Sequence, residues 1–343
     1  MTAALKIIRV DPYDIATYDA WWTAYADAER ADRGEQAPVW TLEESRVELQ
    51  QVTPQIDRRA FIAVRGEQVV GSAKLGLPLK DNTHRAGLGV DVPLPFRRQG
   101  IGSALLAEVE RQAAQAGRTT LSGEASWPYA AGPDGSGVPA REFARGHGYQ
   151  LALGDVCRRL ELPVAGEHLD QLATEAARRH GGYSLHSWKG PIPEQYVAGW
   201  AALDASLETE APVGELDLQP STADVEEVRR QEALLVEQRR TSYGTVALDP
   251  AGNVVAYSEL VVSGHDGNAY QWGTLVRSDH RGHRLGLAVK AANLRILQDH
   301  DRAVPAVITY NAEVNRHMIG VNDRLGFTPV ERLGEFQKKL RSE

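Results

Sequence analysis

The order of elements in this 343-residue chain is played out once and then played out again, so any fold that satisfies it must be two copies of one plan. In the first copy "ALKIIRV" has the apolar content of a strand, and "DIATYDAWWTAYADAER" and "TLEESRVELQQV" place their apolar residues at helical spacing. Thr41 and Glu44 have the spacing of a capping box at the start of the second helix. A strand pair joined at "GEQ" follows, then the strand "RAGLGVDV", the helix "GSALLAEVERQAAQAG", the strand "TTLSGEAS", the short helix "PAREFARGHG" and a last strand "YQLALGDVCRRLEL". The second copy repeats this series from "YSLHSWKG" to "FTPVERLGEFQKKL". The copies also match at points. "FRRQGIGSALLAEVE" aligns with "HRGHRLGLAVKAANL", and Gly148-Tyr149 answers Gly326-Phe327.

A repeat this long is a duplicated domain, not a solenoid unit. The sequence therefore predicts an N-terminal domain over 1–163, a connecting helix over 164–182 that stops at Gly181-Gly182, and a C-terminal domain over 183–343. The fold class is α/β, of the α+β kind with a mixed sheet in each domain. "YAAGPDGSG", residues 129–137, reads as a surface loop.

The content of 42% hydrophobic and 24% charged residues is that of an ordinary soluble chain, and a formal charge of −8 argues against nucleic acid or a membrane surface as a partner. A single cysteine, Cys157, excludes an internal disulfide framework and any multi-cysteine zinc site, and it reads as a packed thiol. The N-terminus is too polar for a signal peptide and no apolar run reaches a membrane span, so a cytoplasmic protein is expected. His-Glu-x-x-His and Gly-x-Ser-x-Gly are both absent, and no metal site is expected. His280 and His283 suit phosphate contact or solvent better than a metal. Trp21 and Trp22 lie on an apolar helix face and read as core.

The motif with chemical content is the turn between the third helix of each copy and the strand before it. The first amides of a helix lack internal partners and carry the positive end of its dipole. In Arg97-Arg98-Gln99-Gly100-Ile101-Gly102 the glycines let an anion approach the backbone, and the arginines add charge. A diphosphate suits such a site. A plain tight turn with solvated arginines is the alternative, and the recurrence of Arg281-Gly282-His283-Arg284-Leu285-Gly286 at the matching place favours the anion. No Gly-Lys-Ser/Thr follows, so this is no P-loop. The preceding strands are hairpin-connected, so it is no dinucleotide fingerprint either.

With this element order and the loop Arg/Gln-x-x-Gly-x-Gly/Ala, both halves resemble the GNAT superfamily of acyl-CoA-dependent N-acetyltransferases, in a tandem arrangement. The first copy matches the loop in full, and the second departs from it at Arg284. The resemblance implies acetyl-CoA as cofactor, held in the gap between two splayed strands. Its pantetheine arm would lie near Val92 or Val276, and its pyrophosphate on residues 97–103, from Arg97 to Ser103, or on 281–287. It implies direct transfer of the acetyl group to an amine, without a covalent enzyme intermediate. Many members carry a tyrosine as general acid five residues before the closing aromatic. Those positions hold Ala144 and Asn322 here, so Asn322 stands where the second copy would have its acid. Asn315 matches a family asparagine that orients the pantetheine arm or the helix start, and Asn311 is a second candidate for the cofactor; that both merely turn the chain and cap the helix is the alternative.

An amine of lysine-like pKa is neutral in about one molecule in 2,500 at pH 7, so a base is needed. Glu259, inside the apolar strand "VAYSELVVS", is the candidate in the second copy, with solvent exposure or a salt bridge as the alternative reading. Gln271 and Thr274 are further polar candidates, and Asp91 and Glu124 are the first copy's counterparts. The expectation is an N-acetyltransferase for a small-molecule primary amine with its chemistry in the second copy. A non-catalytic acyl-CoA-binding or sensing protein is the alternative, and a peptide substrate a third reading. An internal duplication can replace a homodimer, so a monomer with pseudo-dimeric tandem domains is expected.

Overall fold

A computed structural model describes residues 3–34 and 37–340 and divides the chain into two compact units. The first is made of residues 1–154, 215–217 and 332–343, the second of 155–214 and 218–331. In chain order the first unit holds β1 (Leu5–Arg9), α1 (Ile15–Arg33), α2 (Leu42–Gln50), β2 (Ile56–Arg65), β3 (Gln68–Pro78), β4 (Arg85–Asp91), α3 (Ile101–Gln115), β5 (Thr120–Pro128), α4 (Pro139–Gly146) and the start of β6 (Gln150–Glu161). The second holds the rest of β6, then α5 (Gly166–Ala177), β7 (Ser184–Lys189), α6 (Glu194–Glu210), α7 (Val225–Glu237), β8 (Arg240–Leu248), β9 (Val254–Ser263), β10 (Ala269–Val276), α8 (Leu285–His300), β11 (Ala306–Ala312), α9 (Arg316–Leu325) and the start of β12 (Thr328–Lys339).

The compact units do not follow the domain boundaries drawn from the repeat, because their closing strands are exchanged. In the first unit β1 to β4 form an antiparallel meander, β5 adds parallel to β4, and residues 332–339 of β12 lie next to β5. Phe336 and Leu340 enter the first unit's core beside Trp127 and Tyr149, and Lys338 donates to Glu110 at 2.8 Å. In the second unit β7 to β10 repeat the meander, β11 adds parallel to β10, and residues 155–161 of β6 pair antiparallel with Ala306–Ala312. The set of strands in each unit is thus completed by a strand encoded in the other half of the sequence.

Local signals explain the helices. Thr41 and Glu44 form the capping box the sequence predicts. The α3 stripe Ile101, Leu105, Leu106, Val109 and Ala113 is buried at helical spacing against β3 and β4, which leaves the opposite face in water. In α8 ten residues are buried, including Leu287, Ala291 and Leu294. The extra burial comes from α5, the expected connecting helix, whose Leu169, Leu172 and Ala176 cover the outer face of α8. Trp21 is buried and donates to Ala73 O at 3.0 Å, Trp22 donates to Trp40 O at 2.8 Å, and Cys157 is buried, all as packing residues. No described helix is long and apolar enough to cross a membrane.

Candidate active site

Both units open a fork between their two parallel strands. The β4–β5 ladder runs from Arg85↔Thr120 to Leu88↔Gly123 and stops. The β10–β11 ladder runs from Ala269↔Val307 to Gln271↔Thr309 and stops. In the second unit a β-bulge between Gln271 and Gly273 turns β10 away. The Gln271 amide fills the irregularity by donating to Gly273 O at 2.8 Å and Ser258 Oγ at 3.2 Å.

At the end of each fork sits the loop and a helix N-terminus. In the first unit Gly100 caps α3 with φ 79°, a conformation that suits glycine, and nothing lies within 4 Å of where its Cβ would be. Arg97 donates to Val92 O at 2.9 Å, Gln99 accepts from Arg65, and Ser103 meets His147 at 3.0 Å. Arg98 is exposed. A Cβ on Gly102 would meet the Phe143 ring at 3.2 Å.

In the second unit Arg284 takes the place of Gly100 and keeps the left-handed backbone, with φ 56°. Its guanidinium is anchored on Glu175 of α5, which also holds Arg324 of α9. Arg281 reaches Val276 O at 3.4 Å and Glu210 at 2.6 Å, and His283 meets Arg179 O at 3.2 Å. Gly282 has open space where a Cβ would be, and Gly286 would touch only Val276 at 3.6 Å. The start of α8, from Leu285, is therefore free of the aromatic cover that lies on α3. The first-turn amides of α8 have the chemistry to receive an anion, while the Arg281 and Arg284 guanidiniums beside them are each matched by a carboxylate.

The polar residues expected beyond the fork are hydrogen-bonded within the chain. Asn315 caps α9 by accepting from Met318 N at 3.1 Å. Asn322 is completely buried, accepts from Lys290 Nζ at 2.8 Å and donates to Asn311 at 3.0 Å. Asn311 in turn donates to Ala312 O at 3.1 Å. Asn322 and Asn311 are thus links in a buried chain that starts at Lys290. The first link, Lys290, is fully buried, and burial pulls its ammonium down to about 7.

Glu259 is half-buried. On β9 it lies on the side of Tyr257 and Val261, toward α6 and α7. Its cross-strand neighbours are Gly244 on β8 and Gly273 on β10, so no side chain from either adjacent strand covers it. The row continues to Trp188 on β7, whose indole lies over Gly244. The Tyr257 hydroxyl lies over Gly273 and donates to Asp204 at 3.1 Å. Trp200 stacks obliquely on Tyr257 at 4.4 Å and edge-on to Trp188 at 5.7 Å. Trp188, Trp200 and Tyr257 thus gather on the face of the sheet that carries the Glu259 carboxyl. Burial, then the charges of Asp204 and Glu232, push that carboxyl up to about 8. Glu232 is itself paired with Arg229 at 2.7 Å.

The first unit has the same row with a different charge. Counting eight residues back from Arg97 and from Arg281 makes Gly89 the counterpart of Gly273, and the residue opposite Gly89 is Lys74. Lys74 therefore stands where Glu259 stands in the second unit. Neither Lys74 nor the ring of Trp188, Asp204 and Tyr257 was visible in the sequence patterns. Aligning the copies through their loop arginines and pairing each strand with its neighbour would have exposed the exchange.

Residues 17–127 match the model of the Acetyltransferase (GNAT) family. No curated protein sequence matches the chain. Among solved structures, a tandem GNAT protein from the clavulanic acid biosynthesis pathway is 26% identical, with TM-score 0.77, over 99% of this chain and all of that one. A GCN5-related N-acetyltransferase from Sphaerobacter thermophilus is 15% identical, with TM-score 0.66, over 98% of this chain and 96% of that one. A glucosamine N-acetyltransferase region of a fungal multi-domain β-N-acetylglucosaminidase is 14% identical, with TM-score 0.64, over 97% of this chain and 38% of that one. The last two are likenesses of fold.

Proposed function

We propose, from the premise that this chain is a tandem acetyltransferase of the GNAT family, that its second unit moves an acetyl group from acetyl-CoA to a small primary amine that arrives as a cation. The observation that carries this reading is the Glu259 carboxyl, flanked across the sheet by two glycines and gathered on one face with Trp188, Trp200 and Tyr257. Aromatic faces and a carboxylate both attract an ammonium. The thioester, when bound along Val276 with its pyrophosphate on residues 281–287, supplies the activated acetyl group.

The chain's own residues do the rest. An ammonium beside Glu259 stabilises the ionised carboxylate, which then takes the amine's proton and leaves a neutral nucleophile. Asp204 and Tyr257 hold the wall on one side, and Trp188 and Trp200 exclude water on the other. Asn322 has no proton to offer the leaving thiolate. A thiol with pKa near 8.5 leaves with little assistance, so water suffices there. The first unit keeps the intact loop and holds acyl-CoA without passing the acetyl group to a free amine, because Lys74 occupies the floor that Glu259 provides in the second.

Glu259→Gln is expected to lower kcat/KM for the amine by about 10²–10⁴-fold while acetyl-CoA still binds. In the unmutated protein kcat/KM should rise with pH and level off above about 8, because only the ionised base acts and its carboxyl is raised to that value. A glutamine variant within twofold of wild type would remove Glu259 from the mechanism. Gly286→Glu should abolish acetyl-CoA binding in the second unit, and calorimetric stoichiometry counts the loss. The sensor reading predicts tight acetyl-CoA binding with no turnover of any amine.

A further inference from the structure

We infer that Lys74 is an internal acetyl acceptor: the first unit acetylates its own lysine in place of a free amine. The inference rests on the reading that the first unit's fork admits acetyl-CoA.

Lys74 is in the middle of β3, a strand whose neighbours Ala73 and Leu75 are fully buried, yet Lys74 itself is exposed. Its stem lies across Gly89, where a Cβ would stand 2.7 Å from Lys74 Cε. Gly89 is the first β4 residue beyond the end of the β4–β5 ladder, so the stem lies over the β4 side of the fork. The ammonium lies 5.7 Å from the centre of the Tyr25 ring on α1. Asp91, two residues on from Gly89, feels the Lys74 charge, which counteracts the upward push of burial and of Glu29 on its carboxyl. Glu29 is ion-paired with Arg33. A primary amine, a carboxyl able to take its proton and an aromatic wall thus occupy the first unit's floor, each supplied by the chain. In the second unit the same floor offers the carboxyl and the aromatics and leaves the amine to be brought in.

The step balances with acetyl-CoA as the only co-reactant. Lys74 Nζ gives its proton to the Asp91 carboxylate and attacks the thioester carbonyl. A C–N bond forms, the C–S bond breaks and the thiolate leaves; the acylated nitrogen loses its second proton through water to that thiolate, so the products are the amide, the free thiol and protonated Asp91. Lys74 ends as a neutral Nε-acetyl-lysine. Nothing is oxidised or reduced.

The test is intact mass and peptide mapping of the full chain incubated with acetyl-CoA and no added amine. One acetyl group is expected on the peptide that contains Lys74, formed at least tenfold faster than on any other lysine. Lys74→Arg should abolish it. Asp91→Asn should slow it at least tenfold, and Glu259→Gln should leave it unchanged. Acetylation spread over the surface lysines at similar rates, or no acetylation at Lys74, would overturn the inference. So would loss of the label in Glu259→Gln, because the second unit would then be its source. Turnover of free amines, followed separately, reports on the second unit alone, so either reading can fail without the other.

Discussion

Lys290 shows what a single side chain can impose on the fold. Its stem is enclosed by the second unit's core, its ammonium donates to Asn322 and lies 5.2 Å from the centre of the Phe327 ring, and burial draws its pKa from 10.5 to about 7. Between those two values the unfolded chain binds a proton that the folded chain does not. Stability therefore rises with pH from about 7 to 10.5, and the cost at the lower end is on the order of 3–5 kcal/mol. Thermal melts should show Tm climbing across that window in wild type. Lys290→Met should flatten the slope, even though it leaves the Asn322 carbonyl without its donor. A variant with the wild-type slope would show that Lys290 titrates normally.

At the scale of the element, α5 does more than connect. It covers the outer face of α8 with Leu169, Leu172 and Ala176, and its Glu175 fixes Arg284 and Arg324 near the start of α8 and the end of α9. Leu169→Ala should cost about 2–5 kcal/mol, read from the urea midpoint, because Leu169 is 1% exposed in that contact. A loss below about 1 kcal/mol would mean that α5 is only tethered to α8. Elements of this kind were largely legible in the sequence. The capping box at Thr41, the helix over residues 164–182 and both glycine loops are local signals, each complete within a few residues. What faces what was not legible. Asn322 reads as a residue in the cleft until Lys290, 32 positions away, is seen to claim it. Glu259 was found because a carboxylate in an apolar strand is conspicuous. Its counterpart Lys74 lies in an ordinary alternating strand, and only the pairing with Gly89 reveals that the two positions correspond.

At the scale of the whole molecule, the exchange of β6 and β12 makes the repeat boundaries poor places to cut. A fragment of residues 1–163 lacks the strand at 332–339 that lies beside β5, and a fragment of 183–343 lacks both residues 155–161 and the α5 cover. Each would expose an unpaired sheet edge and apolar core. Neither fragment should give a cooperative melt alone, whereas the full chain should. A cooperative transition in the 1–163 fragment, followed by circular dichroism, would show that the exchanged strand is dispensable.

The same exchange sets a timetable for synthesis. A ribosome releases β5 more than two hundred residues before the strand that will lie against it. Throughout that interval the nascent first half carries a raw β edge in the crowded cell, the state most prone to pairing with a stranger. A circular permutant opened before residue 332, with the original ends joined, would make that strand ahead of β1 and remove the wait.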